Sequence, residues 1–297
     1  MKTKVRYVKP QVCVIGLGQV GLPTYNYIKE TLGKKWIVKG FDIDKEKVEK
    51  ITNINHDKNI ISDWKKIVSD ISNVYVICVS TGFNKVDPLK PDLSSIYKVC
   101  VNIKNSLDSY LDSPEDSTEY PLVSIESTIV PNTCKKIFKN IFNGKVHLVH
   151  CSHRFYDAEP IIHGVNQARV FGAINENSYK KGMYFYKEQL RIPIIPLSKI
   201  EEAEMCKIAE NSFRHIQIAF AEQLRMLCEE NNINFSNVKF GCNTKWNINI
   251  PEALNGIGKA CLPKDIKYLA SLGESQFLFD AMKLDKKYRD WLEQLRK

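Results

Sequence analysis

The stretch Gly16-Leu17-Gly18-Gln19-Val20-Gly21 limits what this chain can fold into more than any other. An apolar run, Val12–Ile15, leads into it, and a helix-compatible segment follows Pro23, so the pattern Gly-x-Gly-x-x-Gly falls between a buried strand and a helix start. A second strand is predicted at Trp36–Asp42, with Asp42 lying 21 residues beyond Gly21. In such a βαβ unit the first glycine permits the turn, the second lets backbone approach a pyrophosphate, and the third allows close helix–strand packing. The phosphates then sit at the helix N-terminus. Asp42 would hydrogen-bond ribose hydroxyls and repel a 2′-phosphate, which predicts NAD rather than NADP, held by Gly16, Gly18, Gln19, Val20, Gly21 and Asp42. The plainer alternative is a structural glycine turn beside a solvated aspartate.

Further short apolar runs at Val74–Val79, Leu122–Ile125, Val146–Val149 and Val170–Ala173 alternate with helical stretches such as Leu93–Ser106. That alternation predicts an α/β domain, a Rossmann-type doubly wound sheet, over residues 1–198. Asp112–Glu119, rich in Ser, Pro and acidic residues, reads as a surface loop. From about Ile200 the pattern changes. Glu201–Asn231 carries apolar residues at helical spacing with neither glycine nor proline, so a long helix is expected to bridge to, or form, a second, helical domain over 199–297.

With 297 residues, 43% of them hydrophobic, the chain can bury cores for two domains. Its nine cysteines include no Cys-x-x-Cys pair and no Cys/His cluster at zinc spacing. This predicts reduced thiols in the cytoplasm, no disulfides and no metal. The apolar run Val12–Leu22 is broken by three glycines and is too short to span a bilayer, so no membrane association is expected. The net charge of +9 comes from scattered lysines without an aromatic-basic module, which argues against nucleic acid and reads as a solvated face or as a mild positive field suited to an anionic nucleotide.

Gly256-Ile257-Gly258-Lys259-Ala260-Cys261-Leu262-Pro263-Lys264-Asp265 sets a cysteine between a glycine-rich loop and a helix start. The flexible backbone admits a substrate, and the N–H groups of a first helical turn together with Lys264 favour a thiolate at Cys261. Cys261 is thus a candidate nucleophile or, more plainly, a packed thiol. Lys207 and Asn211, four residues apart on the predicted long helix, share a face and could stabilise an oxyanion, or could simply be solvated.

Together these motifs resemble the UDP-glucose/GDP-mannose 6-dehydrogenase family over nearly all of the chain. Gly16 to Pro23 is similar to the family's cofactor loop, and Val79-Ser80-Thr81 to the strand-end segment lining the cofactor. Glu126-Ser127-Thr128 is similar to its Glu-Ser-Thr. Ala203-Glu204-Met205-Cys206-Lys207-Ile208-Ala209-Glu210-Asn211 resembles the central-helix signature, and Cys261-Leu262-Pro263-Lys264-Asp265 the nucleophile signature. The resemblance implies a homodimer that oxidises the primary alcohol of a nucleotide sugar, a UDP-sugar first, to a carboxylate with two NAD per turnover. Carried over by position, Cys261 forms the thiohemiacetal and thioester, and Lys207 with Asn211 steadies the oxygen charge. Thr128 and Asp265 orient the hydrolytic water, while Val79, Ser80, Thr81 and Ser127 line the cofactor. The product would serve surface-polysaccharide or glycan precursor synthesis.

This sequence also departs from the family. His153, in Ser152-His153-Arg154-Phe155, stands where the family's loop carries a glutamate. It could act as a base, be replaced in that role by Asp157 or Glu159, or be a loop residue or substrate contact. Lys259 and Asn247 also differ from the usual pattern, and on this reading the family's third, C-terminal domain is absent. Two other readings stay open: a two-electron dehydrogenase like the β-hydroxyacid group, and a non-catalytic NAD-binding relative.

Overall fold

The computed structural model describes residues 9–68, 72–108, 120–156, 158–258 and 261–296. The expected loop Asp112–Glu119, together with Asp157, Lys259 and Ala260, lies outside the described residues. The chain divides into two compact units: residues up to Thr81 with Asp92–Met205, and Gly82–Pro91 with Cys206–Lys297.

The first unit is built on an eight-stranded sheet. Its strands are β1 (Gln11–Ile15), β2 (Ile37–Phe41), β3 (Ile60–Ile61), β4 (Val74–Ile77), β7 (Leu122–Ile125), β8 (His147–His150), β9 (Arg169–Ala173) and β10 (Ile194–Pro196). They lie in the order β10-β9-β8-β7-β4-β1-β2-β3. All neighbouring pairs are parallel except β8 with β9. From β1 the chain winds outward through β2 and β3, then returns to β1's other side with β4. This reversal creates the switch point at which α/β sheets bind ligands.

Both faces are covered, which explains why the strands read as unbroken apolar runs. In β1, Val12 and Val14 join a core formed with Tyr25 and Ile28 of helix α1 (Gly21–Leu32), while Cys13 and Ile15 face the other way. There they meet Ile96 and Ile103 of α4 (Ser94–Asp108) and Ile137 of α5 (Thr133–Asn140). The helices α2 (Lys45–Asn55), α3 (Lys65–Val68) and α6 (Glu176–Met183) complete the layers, the last running into a π-helical turn at Tyr184–Gln189. Asp44 and Asn175 cap α2 and α6 by accepting N–H bonds from Lys47 and Ser178. This is the α/β fold the sequence predicts. The short strands β3 and β10 lie below what periodicity can resolve.

Helix α7 spans Ile200–Glu230, 31 residues, one residue ahead of the predicted long helix at each end. Its length is about 45 Å at 1.5 Å per residue. In the second unit it is joined by α8 (Phe235–Asn243), α9 (Cys261–Ala270), α10 (Gln276–Leu295) and a ribbon of β5 (Gly82–Phe83) with β6 (Pro91–Asp92). The Tyr268 hydroxyl of α9 donates to the Gly82 carbonyl at 2.6 Å and its ring meets Phe83 edge-on, which fixes the ribbon to this unit. Ala221, Met226, Phe235, Ala253 and Tyr288 form one core, and Ile266, Ala270 and Leu278 another. No helix among the described residues is long and apolar enough to cross a membrane.

Candidate active site

The glycine turn has the geometry its sequence requires. Gly16 sits at φ +91, where an added Cβ would press on the Cys78 backbone at 2.9 Å, and a Cβ on Gly21 would lie 1.7 Å from the Gly16 carbonyl oxygen. Both positions therefore demand glycine. A Cβ on Gly18 would meet nothing within 4 Å, leaving that backbone open above the N-terminus of α1. Gln19 is exposed and Val20 half-buried beside it. Asp42 is buried: its Oδ2 accepts from the Leu17 amide and the Lys47 ammonium, each at 2.8 Å, and its Oδ1 from the Asp44 amide at 3.0 Å. Burial works to raise its pKa, but the Lys47 bond and the two amides outweigh that and hold the carboxyl below its ordinary 3.8. An ionised acid thus closes the glycine loop at the end of β2, the arrangement that suits a dinucleotide's ribose and pyrophosphate. The solvated-aspartate alternative does not describe it. Lys47 is a partner the sequence reading missed, although its place five residues after Asp42 in the first turn of α2 was a usable signal.

The other predicted cofactor residues cluster at the ends of β4 and β7. Ser127 donates to the Val79 carbonyl at 2.7 Å, and Thr81 to the Thr128 carbonyl at 3.1 Å, so Val79, Ser80, Thr81, Ser127 and Thr128 form one hydrogen-bonded rim. Ser80 is exposed on it.

Glu126 and His153 lie just beneath. His153 is buried, with Nε2 against Glu126 Oε2 and 3.0 Å from the Thr24 hydroxyl. Glu126 Oε1 accepts from the Tyr186 hydroxyl at 2.5 Å and pairs with Arg169 at 3.1 Å. Burial alone would raise the Glu126 pKa. The charges of His153 and Arg169, with hydrogen bonds from His153 and Tyr186, draw it down to about 2. Local spacing could not announce this cluster, because Thr24, Glu126, His153, Arg169 and Tyr186 come from five separate parts of the fold. Glu159 is exposed and paired with His163.

Glu204 is buried, and its two oxygens accept the Asn132 and Cys134 amides at 2.7 Å each, capping α5. Burial raises its pKa to about 7 against those bonds.

In the second unit, Cys261 is the first residue of α9 and is exposed. Behind it, buried Asp265 accepts from Asn211 Nδ2 at 2.5 Å and pairs with Lys264 at 3.4 Å. Burial lowers the pKa of Lys207 below its ordinary 10.5, opposed by its interactions with Asp265, Glu210 and Cys261. Cys261, Lys207, Asn211 and Asp265 are thus one electrostatic neighbourhood: a sulfur, an ammonium, an amide and a carboxylate. The loop leading to Cys261 is anchored by Asp285, whose Oδ1 accepts the Ile257 amide at 2.7 Å, while Gly256 at φ +89 passes tightly against Arg289. Asn247 is exposed.

Residues 55–190 match the NAD binding domain of the UDP-glucose/GDP-mannose dehydrogenase family, and residues 201–285 match that family's central domain. The chain belongs to the UDP-glucose/GDP-mannose dehydrogenase family. The first matched domain makes NAD its cofactor. Among curated relatives, a UDP-N-acetyl-D-mannosamine dehydrogenase of Methanococcus vannielii is 28% identical over 293 residues, covering 93% of this chain and 65% of its own length. One from Methanocaldococcus jannaschii is 28% identical over 279 residues, covering 89% and 62%. The chain therefore spans less than two thirds of these relatives' length. Among solved structures, the UDP-D-ManNAc dehydrogenase of Pyrococcus horikoshii superposes with a TM-score of 0.81 at 24% identity, covering 96% of this chain and 70% of that one. The 3-hydroxyisobutyrate dehydrogenase of Mycobacterium tuberculosis shares the fold at a TM-score of 0.66 and 13% identity, covering 96% and 94%.

Proposed function

We propose that this protein oxidises the primary alcohol of a nucleotide sugar to a carboxylate, with a UDP-N-acetylhexosamine as the first substrate class to test. The observation that carries this reading is Cys261, exposed at the first turn of α9 beside Lys207, Asn211 and Asp265. When bound, NAD accepts a hydride in each of two oxidations, held by Gly16, Gly18, Gln19, Val20, Gly21 and Asp42 along with the rim of Val79, Ser80, Thr81 and Ser127. The Cys261 sulfur adds to the aldehyde carbon to give a thiohemiacetal. Its oxidation leaves a thioester, which water cleaves to the carboxylate and free thiol. Lys207 and Asn211 donate to the substrate oxygen as charge develops. Asp265, anchored by Asn211, and Thr128 orient the hydrolytic water. His153, enclosed by Glu126 and Thr24, is assigned no direct part in these steps.

The chain is proposed to work as a cytoplasmic homodimer that supplies glycan precursors. Phe213, Phe220 and Leu227 support the dimer: they recur every seven residues along α7 and are 62%, 56% and 45% exposed, an apolar stripe suited to a second copy.

A two-electron reading has some support in the shared fold of the 3-hydroxyisobutyrate dehydrogenase and the Lys207–Asn211 spacing. It ranks second because it gives Cys261 no task. A non-catalytic NAD-binding role ranks third.

The test is acid formation from a panel of UDP-sugars with NAD, with a hydrazine present to trap aldehyde. Wild-type protein should form the uronate, and Cys261→Ala should lose acid formation by about 10³-fold or more, the scale of losing an essential nucleophile. Undiminished acid formation by the variant would reject the covalent route.

A further inference from the structure

Three strand ends converge on a set of donor atoms that the proposed oxidation leaves unused. Cys78 directly follows β4, Glu126 directly follows β7, and His153 lies in the loop after β8. Cys78 Sγ is 3.7 Å from Glu126 Oε2, and His153 Nε2 faces that same oxygen. The three atoms lie within 4.8 Å of one another, with Glu126 and His153 each only 4% exposed.

We propose that Cys78, Glu126 and His153 bind a divalent metal ion of the zinc class. A thiolate, an imidazole and one carboxylate oxygen are the donor types that Zn²⁺ takes in tetrahedral sites. With Zn–S near 2.3 Å and Zn–O near 2.0 Å, tetrahedral geometry sets sulfur and oxygen about 3.5 Å apart. The observed 3.7 Å is close to that, while His153 Nε2 and Glu126 Oε2, which touch directly, would have to part to admit the ion. The carboxylate is also held as a ligand should be. Its other oxygen, Oε1, is fixed by Arg169 at 3.1 Å and by the Tyr186 hydroxyl at 2.5 Å, and that hydroxyl is itself 2.7 Å from Ser124 Oγ. Such outer partners orient a metal-binding carboxylate and leave one oxygen for the ion. The Thr24 hydroxyl, 3.0 Å from His153 Nε2 and donating to the Val20 carbonyl, would give up its bond to the imidazole when Nε2 takes the ion.

The rival account is a metal-free ion pair of Glu126 with His153 and Arg169. It accounts for those three residues and takes the Cys78 thiol as one more hydrogen-bond donor to Glu126 Oε2, so the two accounts differ in whether Cys78 keeps its proton and stays open to alkylation when Zn²⁺ is present. The metal would tie the ends of β4 and β7 to the loop after β8, a structural role separate from the proposed oxidation. It would also correct the expectation of no metal. That expectation followed from the lack of zinc-type spacing, whereas these donors are 48 and 27 residues apart and only the sheet brings them together.

The experiment uses untagged protein stripped with a chelator, then titrated with Zn²⁺ against a chromophoric competitor and, separately, with Co²⁺. The expected result is about one tightly held Zn²⁺ per chain and a thiolate-to-cobalt absorption band. Cys78→Ser should abolish the band, and both Cys78→Ser and His153→Gln should weaken Zn²⁺ binding by at least about tenfold. A Cys242→Ala, Cys261→Ala double variant, which removes the two exposed thiols, should keep both signals. An NAD-induced rise in melting temperature checks that each variant is folded. The wild-type chain supplies a reading that needs no substitution, because Zn²⁺ should protect Cys78 from alkylation as mapped by peptide mass. Overturning results are the absence of tight Zn²⁺, a band that survives Cys78→Ser, a signal lost with the two exposed cysteines, or Cys78 alkylation indifferent to Zn²⁺.

Discussion

At the scale of single residues, Asp42 and Cys261 carry the account's chemistry. Asp42 accepts two backbone amides and a lysine, so it shapes the glycine loop as well as presenting charge to a ribose. Replacing it with asparagine keeps the side chain's size, removes the charge and leaves one accepting oxygen where there were two. By calorimetry, Asp42→Asn should weaken NAD binding by about 10- to 100-fold, the worth of a hydrogen bond to a charged group. It should also narrow the preference over NADP, and an unchanged NAD-to-NADP ratio would contradict the assigned role. Both residues were legible from sequence, because each sits in a local motif whose neighbours dictate its backbone. Lys47, Arg169 and Tyr186 were not singled out. The last two act on Glu126 from β9 and the π-helical turn, and only tertiary packing reveals that.

At the scale of elements, the long helix α7 was readable from its uninterrupted 3.6-residue periodicity, but its buried acids were not. Glu222 is fully buried on α7, and neither of its side-chain oxygens has a hydrogen-bond partner among the described residues. Burial first and Asp285 second raise its pKa from 4.5 to about 8, against Arg289. The sign follows directly. Between about pH 4.5 and 8 the unfolded chain has released this proton while the folded chain keeps it, so Glu222 costs stability progressively as pH rises through that window. Below pH 4.5 both states are protonated and the cost vanishes. Glu222→Gln should therefore raise stability at pH 8 by about 1 to 3 kcal/mol, discounted from the full shift, and leave it little changed at pH 4. Urea unfolding at the two pH values measures this, and equal effects at both would contradict it. The strands show the complementary limit. Their apolar runs were visible because both sheet faces are covered, whereas two- and three-residue strands such as β3 and β10 carry too few residues to show a period.

At the scale of the whole molecule, the order of motifs from Gly16 to Asp265 foretold the family, while the place of Gly82–Pro91 in the second unit had to come from the fold. The excursion Gly82–Pro91 joins the second unit through Tyr268 and Phe83, a pairing of residues far apart in sequence that no local pattern encodes. The exposed stripe of Phe213, Phe220 and Leu227 makes a prediction at this scale. Light scattering should give twice the chain mass, and Phe220→Glu should shift the protein to monomer by placing a charge in an apolar interface. A wild-type monomer, or a variant that stays dimeric, would reject that interface. Four-electron oxidation through Cys261 is checked by running a limiting amount of a UDP-sugar substrate to completion with excess NAD and counting the NADH released. Two NADH should appear for each sugar consumed; one NADH per sugar, unaltered by alkylation of Cys261, would rule out the covalent route.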